Sequence, residues 1–499
     1  MTSDRHSELW KNLSWRKLRK NLFRLQCRLW KAVRANNRKR ALSLQKLILK
    51  SRSARLLAIR QVTQLNAGKK TAGVDGKASL TFKERFELEE LLKPNVFHWK
   101  HGKLREIPIP KKDGTKRILK VPNMCDRAWQ CLVKYALEPA HEATFHERSY
   151  GFRPGRSAHD CQKMVFQNLR SKSNGISKKI LELDIEKCFD RIEHSALMSR
   201  IKAPQSIKTG LWKCLKSGTN PSFPNQGTPQ GGVVSPLLAN IALNGIEEIY
   251  PSVRYADDMV FFLKPKENAE LILDRITKFL VQRGLNVKAS KTKLVSATDG
   301  FDFLGWHFKV QKNGKFRCVP SVDNFKAFKT KVKSIVNSSN CGARVKVEKL
   351  APIVRGWRNY HRYCKMDGSR FSLWFTSHRA FKVFLKETNT NRYEAEELKK
   401  RAFPPVPHAE NQFVNVKGDA SPFNGNIIYW SKRESNHYDG ATSKTLLKQN
   451  HTCGECGLKF VDGERIHLHH INGKHDDWKP KNLSAIHQSC HQLIHMSKS

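Results

Sequence analysis

The chain has 499 residues and carries 92 lysines and arginines against 44 acidic residues, which gives a formal net charge of +48. This length predicts three or four domains rather than one core, and the excess of positive charge indicates a nucleic-acid partner. No run of 18 apolar residues occurs, which excludes a membrane span, and the start lacks the apolar segment of a secretory signal peptide.

Basic residues dominate the first 60 positions, which hold 18 lysines and arginines against Asp4 and Glu8. Leu22, Leu25 and Leu29 recur at helical spacing, and the other helix faces are basic. A solvated helix is the alternative, but the charge here is of one sign. We therefore predict that residues 1–72 form a basic helical extension that binds RNA. The candidate contacts are Arg16, Lys17, Arg24, Arg28, Arg38 and Arg40.

From residue 103 onwards, strand patterns alternate with polar loops. Lys103–Pro122 is predicted as two strands joined by a turn at Lys112-Asp113-Gly114-Thr115, because Asp-Gly favours a hairpin. Two loops rich in glycine follow at residues 149–156 and 226–232.

Helical patterns and one further strand complete this part of the chain. A helix is predicted over Val233–Ala242, and an amphipathic helix ends at Gly284, a natural helix-terminating residue. Phe301–Phe308 is predicted as one strand, and helical spacing returns from Phe325. After about residue 389 the pattern decays into a segment rich in proline and asparagine. We predict a linker or a weakly structured DNA-binding region there.

Two adjacent carboxylates occupy the tip of a predicted hairpin at Tyr255-Ala256-Asp257-Asp258. Like charges held this close repel, and they persist where a divalent cation neutralises them. Asp184 follows another strand pattern, so a third carboxylate is available to the same site. Three aspartates on two neighbouring strands are typical of the two-metal centres that transfer nucleotides.

The motifs in this order resemble those of the proteins encoded by mobile group II introns, which combine reverse transcriptase, maturase and often DNA endonuclease. The matching segments run from about Gly73-Val74-Asp75-Gly76 to the C-terminus. Each motif alone is weak, whereas their joint order and spacing are specific. They are Ile107-Pro108-Ile109-Pro110-Lys111, Tyr150-Gly151-Phe152-Arg153, Asp184 to Asp190, Gly227 to Gly232, Tyr255 to Asp258 and Phe303-Leu304-Gly305.

The resemblance implies a multidomain α+β protein with a right-hand polymerase fold of fingers, palm and thumb. It implies that two Mg²⁺ ions lie at Asp184, Ile185, Asp257 and Asp258. Residues that would contact the incoming dNTP are Lys111, Arg117, Phe189, Gln230 and Lys291. Phe189 matches the aromatic residue that excludes a ribose 2′-OH, with a core aromatic as the alternative. Lys288 and Lys293 are close enough in sequence to leave the choice of Lys291 open.

Arg355-Gly356-Trp357-Arg358 resembles the maturase or thumb segment that grips intron RNA, with Arg355 and Arg358 as the RNA-binding candidates. The alternative is a packed helix with Trp357 in the core. Both can hold, because a helix offers one face to the core and another to phosphate. The expected domains are the RNA-binding extension at 1–72, fingers and palm at 73–315, thumb and maturase at 316–388, a linker or DNA-binding region at 389–445, and a nuclease at 446–499.

Metal-ligating residues are concentrated at the C-terminal end, where eight of the 20 histidines fall between His451 and His495. The other cysteines are scattered, which suggests a reducing compartment. The spacing of Cys453-x-x-Cys456 and His487-x-x-Cys490 suits a tetrahedral structural Zn²⁺. A module of 50-odd residues builds little core, so such a metal would contribute directly to its folding.

His469-His470, Asn482 and the later histidines also resemble the HNH nuclease family, a hairpin and helix around one divalent ion. The match implies that His470 is the general base and that Asn482 orients it. It implies metal ligands at His469, His491 and His495. Relatives often carry Asp at the position of His469 and Cys at that of His487, and both replacements are competent ligands. A zinc ribbon that only binds DNA is the alternative, although it would need neither His470 nor Asn482.

The expected protein is therefore a multifunctional reverse transcriptase whose partners are intron RNA, target DNA and dNTPs. It would assist splicing and support retrohoming by copying RNA from a nicked DNA target. A maturase without polymerase activity is one alternative, although it would be expected to lose catalytic carboxylates. A stand-alone reverse transcriptase is another, although it would need no maturase segment. The expected location is the bacterial cytoplasm near the nucleoid, and an organellar host stays open.

Overall fold

A computed structural model of the chain describes residues 3–110, 114–218, 222–366, 371–435, 438, 440–460 and 466–496. The helices are α1 Ser3–Lys11, α2 Trp15–Arg34, α3 Arg38–Lys50, α4 Arg52–Arg60, α5 Phe82–Asn95, α6 Met124–Glu142, α7 Ala158–Leu169, α8 Cys188–Arg191, α9 His194–Arg200, α10 Gln205–Ser217, α11 Ser235–Leu243, α12 Ala269–Val281, α13 Val322–Val336, α14 Ala343–His361, α15 Trp374–Glu387, α16 Arg392–Ala402, α17 Ile427–Ser435, α18 Gly440–Lys448 and α19 Gln488–Met496. The strands are β1 Arg105–Pro110, β2 Lys116–Val121, β3 Lys179–Leu183, β4 Ser252–Tyr255, β5 Asp258–Leu263, β6 Lys293–Ser296, β7 Phe301–Phe303, β8 Trp306–Val310, β9 Phe316–Pro320, β10 Ile466–His470 and β11 Leu483–His487.

Helices α2, α3 and α4 pack on one long helix, α6. The predicted leucine stripe of α2 is confirmed, since Leu22 and Leu29 are buried there. The amide of Gln45 ties the layer together by donating to the carbonyls of Ala136, at 3.1 Å, and Lys202, at 2.7 Å. The basic N-terminal helices are therefore part of the folded body of the protein.

The centre of the fold is a four-stranded antiparallel sheet in the order β4-β5-β3-β6. Alternate residues of β5 point to opposite faces, as strand geometry requires. Met259 and Phe261 join the core that includes α11 and α12, whereas Val260 and Phe262 join the core that includes α7. Because both faces are covered, the sheet holds its ends in fixed positions.

The predicted hairpin over Lys103–Pro122 is confirmed as β1 and β2, which pair antiparallel. The single strand predicted over Phe301–Phe308 is wrong, because the chain turns back between β7 and β8. Leu304 and Gly305 adopt positive φ angles of 51° and 79° at this turn. A leucine in that region of backbone space is uncommon, so the sequence pattern alone favours an uninterrupted strand.

Helices α13 to α16 form a second helical cluster around Trp357, which stacks on Phe328 with ring centroids 4.6 Å apart. Tyr360 joins this cluster to the sheet region, since its ring lies parallel to that of Trp306 at 4.5 Å. The cluster continues past the expected boundary at residue 388. Helix α16 buries Ala395 and Leu398 in the same core, because its apolar residues face α14 and α15.

Residues 403–433, which we call the strap, run from the second helical cluster back over α7. The sequence predicts a linker or a weakly structured segment here, but hydrogen bonds and ring packing fix the strap against the rest of the protein. Arg433 donates to both oxygens of Asp160 at 2.7 and 2.8 Å, and the side chain of Asp160 is fully buried. Trp430 packs against Gly155, where an added Cβ would lie 2.3 Å from the indole ring. The strap has no periodic pattern because its partners lie elsewhere in the chain.

The C-terminal module, residues 440–496, contains the β10–β11 hairpin and the helix α19. Its small core includes Leu446, Phe460 and Ile486. This hairpin and helix agree with the elements expected from the sequence. Within the parts of the chain that the structure describes, no helix is both long and apolar enough to cross a membrane.

Candidate polymerase site and metal centres

Asp257 and Asp258 lie at the turn between β4 and β5, as predicted. Tyr255 pairs with Asp258, so the two-residue loop consists of Ala256 and Asp257. Ala256 has a positive φ of 59°, as tight hairpin turns require. The turn therefore presents two carboxylates at the ends of β4 and β5 in the central sheet.

A buried ion pair supports this turn from below. Arg254 donates to Glu247 at 2.6 Å and to the carbonyl of Ala256 at 3.0 Å. Gly151 packs on the turn from the other side, where an added Cβ would lie 2.3 Å from the amide nitrogen of Ala256. Only a glycine fits there, which gives a structural reason for the Tyr150-Gly151-Phe152-Arg153 motif. The carboxylates are thus held by a preorganised frame.

Asp184 directly follows β3, whose Leu183 pairs with Met259 on β5. Its carbonyl accepts a hydrogen bond from the amide of Lys288 at 2.8 Å, and its carboxylate lies 3.3 Å from the ammonium of Lys291. Of the three lysines considered, Lys291 is thus the one whose side chain meets Asp184. Ile185 is fixed beside it by a bridge to Val287.

The three aspartates influence one another electrostatically. Partial burial and the charges of Asp257 and Asp184 raise the pKa of Asp258 to about 6. Burial and the charge of Asp184 also raise the pKa of Asp257, while Arg117 opposes that shift. Carboxylate oxygens are the ligands that Mg²⁺ prefers. The donor set and its mutual repulsion therefore fit a site for divalent cations.

The residues expected to contact the dNTP lie on segments around this turn. Arg117 donates to the side chain of Gln230, which donates to Asp190 at 2.9 Å. Phe189 is partly buried, and its ring meets that of Phe152 edge to face at 6.3 Å. The contact is compatible with both a 2′-OH gate and a core role. Lys111 lies outside the described residues.

The RNA-binding candidates differ in their exposure. Arg355 and all six candidates of the N-terminal region are exposed, namely Arg16, Lys17, Arg24, Arg28, Arg38 and Arg40. Lys17, Arg24 and Arg28 follow one face of α2 at helical spacing. Arg358 is half-buried and donates to the carbonyls of Phe403 and Pro404 at 3.0 and 2.6 Å. The expected RNA contact of α14 therefore rests on Arg355.

Four metal-ligating side chains from the two ends of the C-terminal module converge. The ligand atoms of Cys453, Cys456, His487 and Cys490 all lie within 4.8 Å of one another. The Nδ1 atom of His487 lies 3.3 Å from Cys456 Sγ and 3.8 Å from Cys490 Sγ. Ligands of tetrahedral Zn²⁺ at 2.0–2.3 Å stand about 3.3–3.8 Å apart. These four residues, drawn from two distant segments, therefore fit a structural Zn²⁺.

Three histidines form a second group on the opposite side of the hairpin. The ring nitrogens of His469, His491 and His495 lie within 4.8 Å of one another, and His491 and His495 approach to 3.3 Å. Burial and the neighbouring histidines lower the pKa of His491 to about 4. Neutral imidazoles are the form that binds metal. This group therefore fits one divalent ion.

His470 follows His469 on β10, and its ring contacts those of His475 and Trp478 at 5.3 and 5.2 Å. His470 is 7% exposed, and its Nε2 atom is buried with no hydrogen-bond partner. The side chain of Asn482 accepts from the amide of Asn472 at 2.9 Å and donates to the carbonyl of Asp477 at 2.8 Å. Asn482 thus closes the loop between β10 and β11, which fixes the end of the strand that carries His470.

Sequence reasoning missed the residues that hold these sites in place. The sequence marks Arg254 as unusual, since it is a charged residue inside a strand pattern whose neighbours are apolar. Nothing in the sequence marks Glu247, seven residues earlier, as its partner. Asp160 and Arg433 lie 273 residues apart, and neither belongs to a recognisable motif. Such partners become visible only when the chain is folded.

Three family models match the chain. They are the N-terminal domain of reverse transcriptase over residues 10–92, reverse transcriptase (RNA-dependent DNA polymerase) over residues 109–308, and the group II intron maturase-specific domain over residues 325–402. The C-terminal module lies beyond these three ranges.

Several curated proteins are similar to the chain. Maturase-like protein 1 of Euglena gracilis is 40% identical over 397 residues, which cover 79% of this chain and 86% of that protein. Protein YkfC of Escherichia coli is 30% identical over 319 residues, covering 54% of this chain and 84% of that protein. Group II intron-encoded protein LtrA of Lactococcus lactis subsp. cremoris is 35% identical over 153 residues, covering 29% of this chain and 25% of that protein.

Proposed function

The chain belongs to the family of group II intron-encoded reverse transcriptases and maturases, and on that premise we propose that it copies RNA into DNA at Asp184, Asp257 and Asp258. The arrangement that carries this proposal is the rigid hairpin turn, which holds two mutually repelling carboxylates beside a third on the adjacent strand. In this proposal the central sheet is the palm and α13 to α16 are the thumb. Intron RNA binds the exposed basic face of α2 and Arg355.

In this proposal different residues bind the metal ions, bind the triphosphate and exclude the ribose 2′-OH. Asp184, Asp257 and Asp258, with the carbonyl of Ile185, would hold two Mg²⁺ ions, which lower the pKa of an attacking hydroxyl and neutralise phosphate charge when bound. Arg117 would turn from Gln230 to the triphosphate of the dNTP. Phe189, backed by Phe152, would exclude the ribose 2′-OH by contact.

The test of this site is Asp257→Asn, which keeps the shape of the side chain and removes its charge. We expect primer extension on an RNA template to stop while splicing assistance by the same protein continues, because RNA binding uses other surfaces. Asp274→Asn is the matched control, since Asp274 is exposed on α12 and pairs with Lys278 of the same helix at 2.7 Å. Normal extension by Asp257→Asn would leave splicing assistance, the maturase function, as the better description.

We further propose that the C-terminal module is a zinc-stabilised HNH nuclease that supports retrohoming. The buried, unpartnered Nε2 atom of His470 and the three convergent histidines His469, His491 and His495 support this reading. In this scheme intron RNA inserts into one strand of a DNA target, and the module nicks the other strand. His470 would accept a proton from water, whose oxygen bonds to phosphorus while the P–O3′ bond breaks and O3′ gains a proton. The polymerase would then extend the new 3′-OH. A zinc ribbon that only binds DNA would need Cys453, Cys456, His487 and Cys490 but neither His470 nor Asn482.

Cys453→Ser and His470→Ala separate these two descriptions. Loss of the Cys453 thiolate should release zinc and make the module sensitive to protease. Loss of His470 should leave zinc content unchanged and stop nicking of the second strand. His378→Ala, at an exposed histidine on α15, is the matched control. The measurements are metal analysis and a strand-specific nicking assay. A His470→Ala protein that still nicks would reduce the module to a DNA-binding zinc ribbon.

A further inference from the structure

Helix α2 and the first cysteine loop of the C-terminal module have opposite charge. The helix is rich in lysine and arginine and contains no acidic residue. Residues 453–458, which we call the knuckle, contain Glu455 and no basic residue. Three thiolates, one neutral imidazole and one Zn²⁺ together carry one net negative charge. A knuckle that holds zinc would therefore be anionic, and α2 is cationic.

The two surfaces meet at Arg16, an exposed residue in the first turn of α2. Both Nη atoms of its guanidinium lie 3.8 Å from the position that a Cβ would occupy at Gly457, the residue that directly follows Cys456. The amide of Gly457 donates to the carbonyl of Cys453 at 2.8 Å, which closes the knuckle into a tight turn. The guanidinium thus lies against the turn that carries two of the four proposed zinc ligands.

A second contact holds the module against the strap. The hydroxyl of Ser431 donates to the carbonyl of Phe460 at 3.2 Å, and both residues are buried. The ring of Phe460 in turn packs on that of His487 with centroids 4.5 Å apart. The proposed metal centre is therefore linked to the strap on one side and to α2 on the other.

A cavity of about 700 Å³ lies between these two contacts. Its walls include Arg19 and Phe23 of α2, Phe423 of the strap, and His487 and Gln488 of the module. This space separates the facing surfaces, so apolar packing between α2 and the module is limited there. The charged contact at Arg16 therefore has to supply attraction that packing would otherwise provide.

We propose that α2 is the docking surface of the C-terminal module and that Arg16 recognises the knuckle when it holds zinc. The inference rests on the proposed zinc site. Without zinc the cysteines are neutral thiols at pH 7, so the knuckle loses negative charge and the attraction to Arg16 falls. Lys17, Arg24 and Arg28 lie on a face turned by about 100° from Arg16 and stay available to RNA. Arg16 is thus a positioning residue for the module instead of an RNA contact.

The contact is tested by photo-crosslinking in the full chain. The probe is p-benzoylphenylalanine introduced in place of Lys20, which lies one turn after Arg16 on the same side of α2. We expect crosslinks to the peptide that contains residues 453–458 in the protein loaded with zinc. Chelation should lower their yield severalfold, and added zinc should restore it.

Variants at Arg16 separate docking from folding of the module. Arg16→Glu reverses the charge at the knuckle, so the crosslink yield should fall while zinc stays bound. Zinc affinity, measured by competition with a chelator, should weaken about three- to tenfold. Arg16→Lys keeps the charge and should retain the crosslink. The matched control is Arg28→Glu, the same change on the same helix, about 18 Å further along its axis and beyond the screening length of about 10 Å.

The outcomes distinguish this inference from the zinc site on which it rests. Metal analysis of the unaltered chain tests the zinc site itself, and a chain without zinc overturns both. Bound zinc with equal crosslink yields in Arg16→Glu and Arg28→Glu overturns the docking role alone. Arg16→Gln should leave the salt dependence of intron RNA binding unchanged. A log–log slope lowered by roughly 0.7–0.9, with zinc affinity unchanged, would make Arg16 an RNA contact and overturn the inference.

Discussion

Arg254 and Glu247 form an ion pair with a separation of 2.6 Å in which both side chains are fully buried, beneath the turn that carries Asp257 and Asp258. The same guanidinium binds the carbonyl of Ala256, one residue before Asp257. The pair therefore links the packing of the protein interior to the position of a carboxylate at its surface. Stability and activity should respond to its loss in different ways.

Arg254→Met should lower the free energy of unfolding by about 3–5 kcal/mol, because Glu247 is left as a buried, unpaired charge. Adding Glu247→Leu should recover much of that stability, since two apolar side chains replace the pair. Primer extension should stay impaired in the double variant, because nothing holds the carbonyl of Ala256. Denaturant unfolding and primer extension check this. Recovery of both properties together would contradict a positioning role for Arg254.

Phe189→Val should admit ribonucleotides more readily by removing the ring that meets the 2′-OH. Steric exclusion of a few kcal/mol corresponds to roughly a hundredfold or more in selectivity. Single-nucleotide kinetics with dNTP and rNTP measure this ratio. Because Phe189 also packs against the main core, thermal unfolding is the companion measurement. Unchanged discrimination with lowered stability would assign Phe189 to the core.

Acid should destabilise the fold through His141 on α6. Burial, followed by the charges of Lys202 and Lys208, lowers the pKa of His141 to about 3, and its Nε2 atom accepts a hydrogen bond from the amide of Lys202 at 3.2 Å. Between about pH 3 and an ordinary value near 6.5, the unfolded chain binds the additional proton. Stability contributed by neutral His141 is therefore complete above pH 6.5 and is lost as the pH falls.

The change is His141→Gln, which keeps an acceptor and removes the titration. In the wild type, His141 should contribute up to about 1.4 kcal/mol per pH unit to the slope of unfolding free energy below pH 6.5. The variant should show a shallower slope over the same range. Denaturant unfolding measured from pH 7 to pH 4 supplies the comparison, and parallel slopes would contradict the assignment to His141.

Replacing Lys17, Arg24 and Arg28 by Gln should weaken intron RNA binding and reduce its salt dependence. Each lost phosphate contact removes roughly 0.7–0.9 from the log–log slope, so three contacts remove about two to three. The matched control replaces Lys83, Lys93 and Lys278, which are exposed and pair with acidic neighbours on their own helices. Binding titrations at several salt concentrations give both slopes. Equal slopes in the two variants would mean that α2 offers a general positive field without contacts.

The sequence predicted the parts of the site that depend on local pattern. The turn at Asp257 and Asp258 was predictable because alternating residues flank a short polar tip. The Cys/His cluster at Cys453, Cys456, His487 and Cys490 was predictable because its spacing is set by local turns. The hairpin at Leu304 was not predictable, since it requires a leucine with a positive φ angle. The frame around the site was not predictable either, because Arg254 and Asp160 bind partners that the sequence does not mark.

The strap shows why the later part of the chain was the hardest to predict. Asn411 and Val416 bind Tyr363 and Asp160 instead of their own neighbours, at 3.2 and 2.9 Å. Hydrophobic periodicity reports how a segment buries its own face, and it is silent on backbone groups that bind distant residues. A segment rich in proline and asparagine can therefore be ordered without any repeating signal.

The bond between Asp160 and Arg433 also limits where this protein can be divided. A chain that stops after α16 would keep every motif of the polymerase but would take Arg433 and Val416 away from Asp160 and uncover Tyr363. The smallest part that keeps α7 in its present surroundings extends through the strap. An exchange of C-terminal modules among proteins of this kind would therefore have to carry the strap along or replace Asp160. Because Asp160 binds the strap, we expect the polymerase region and the strap to be kept together when such proteins exchange C-terminal modules.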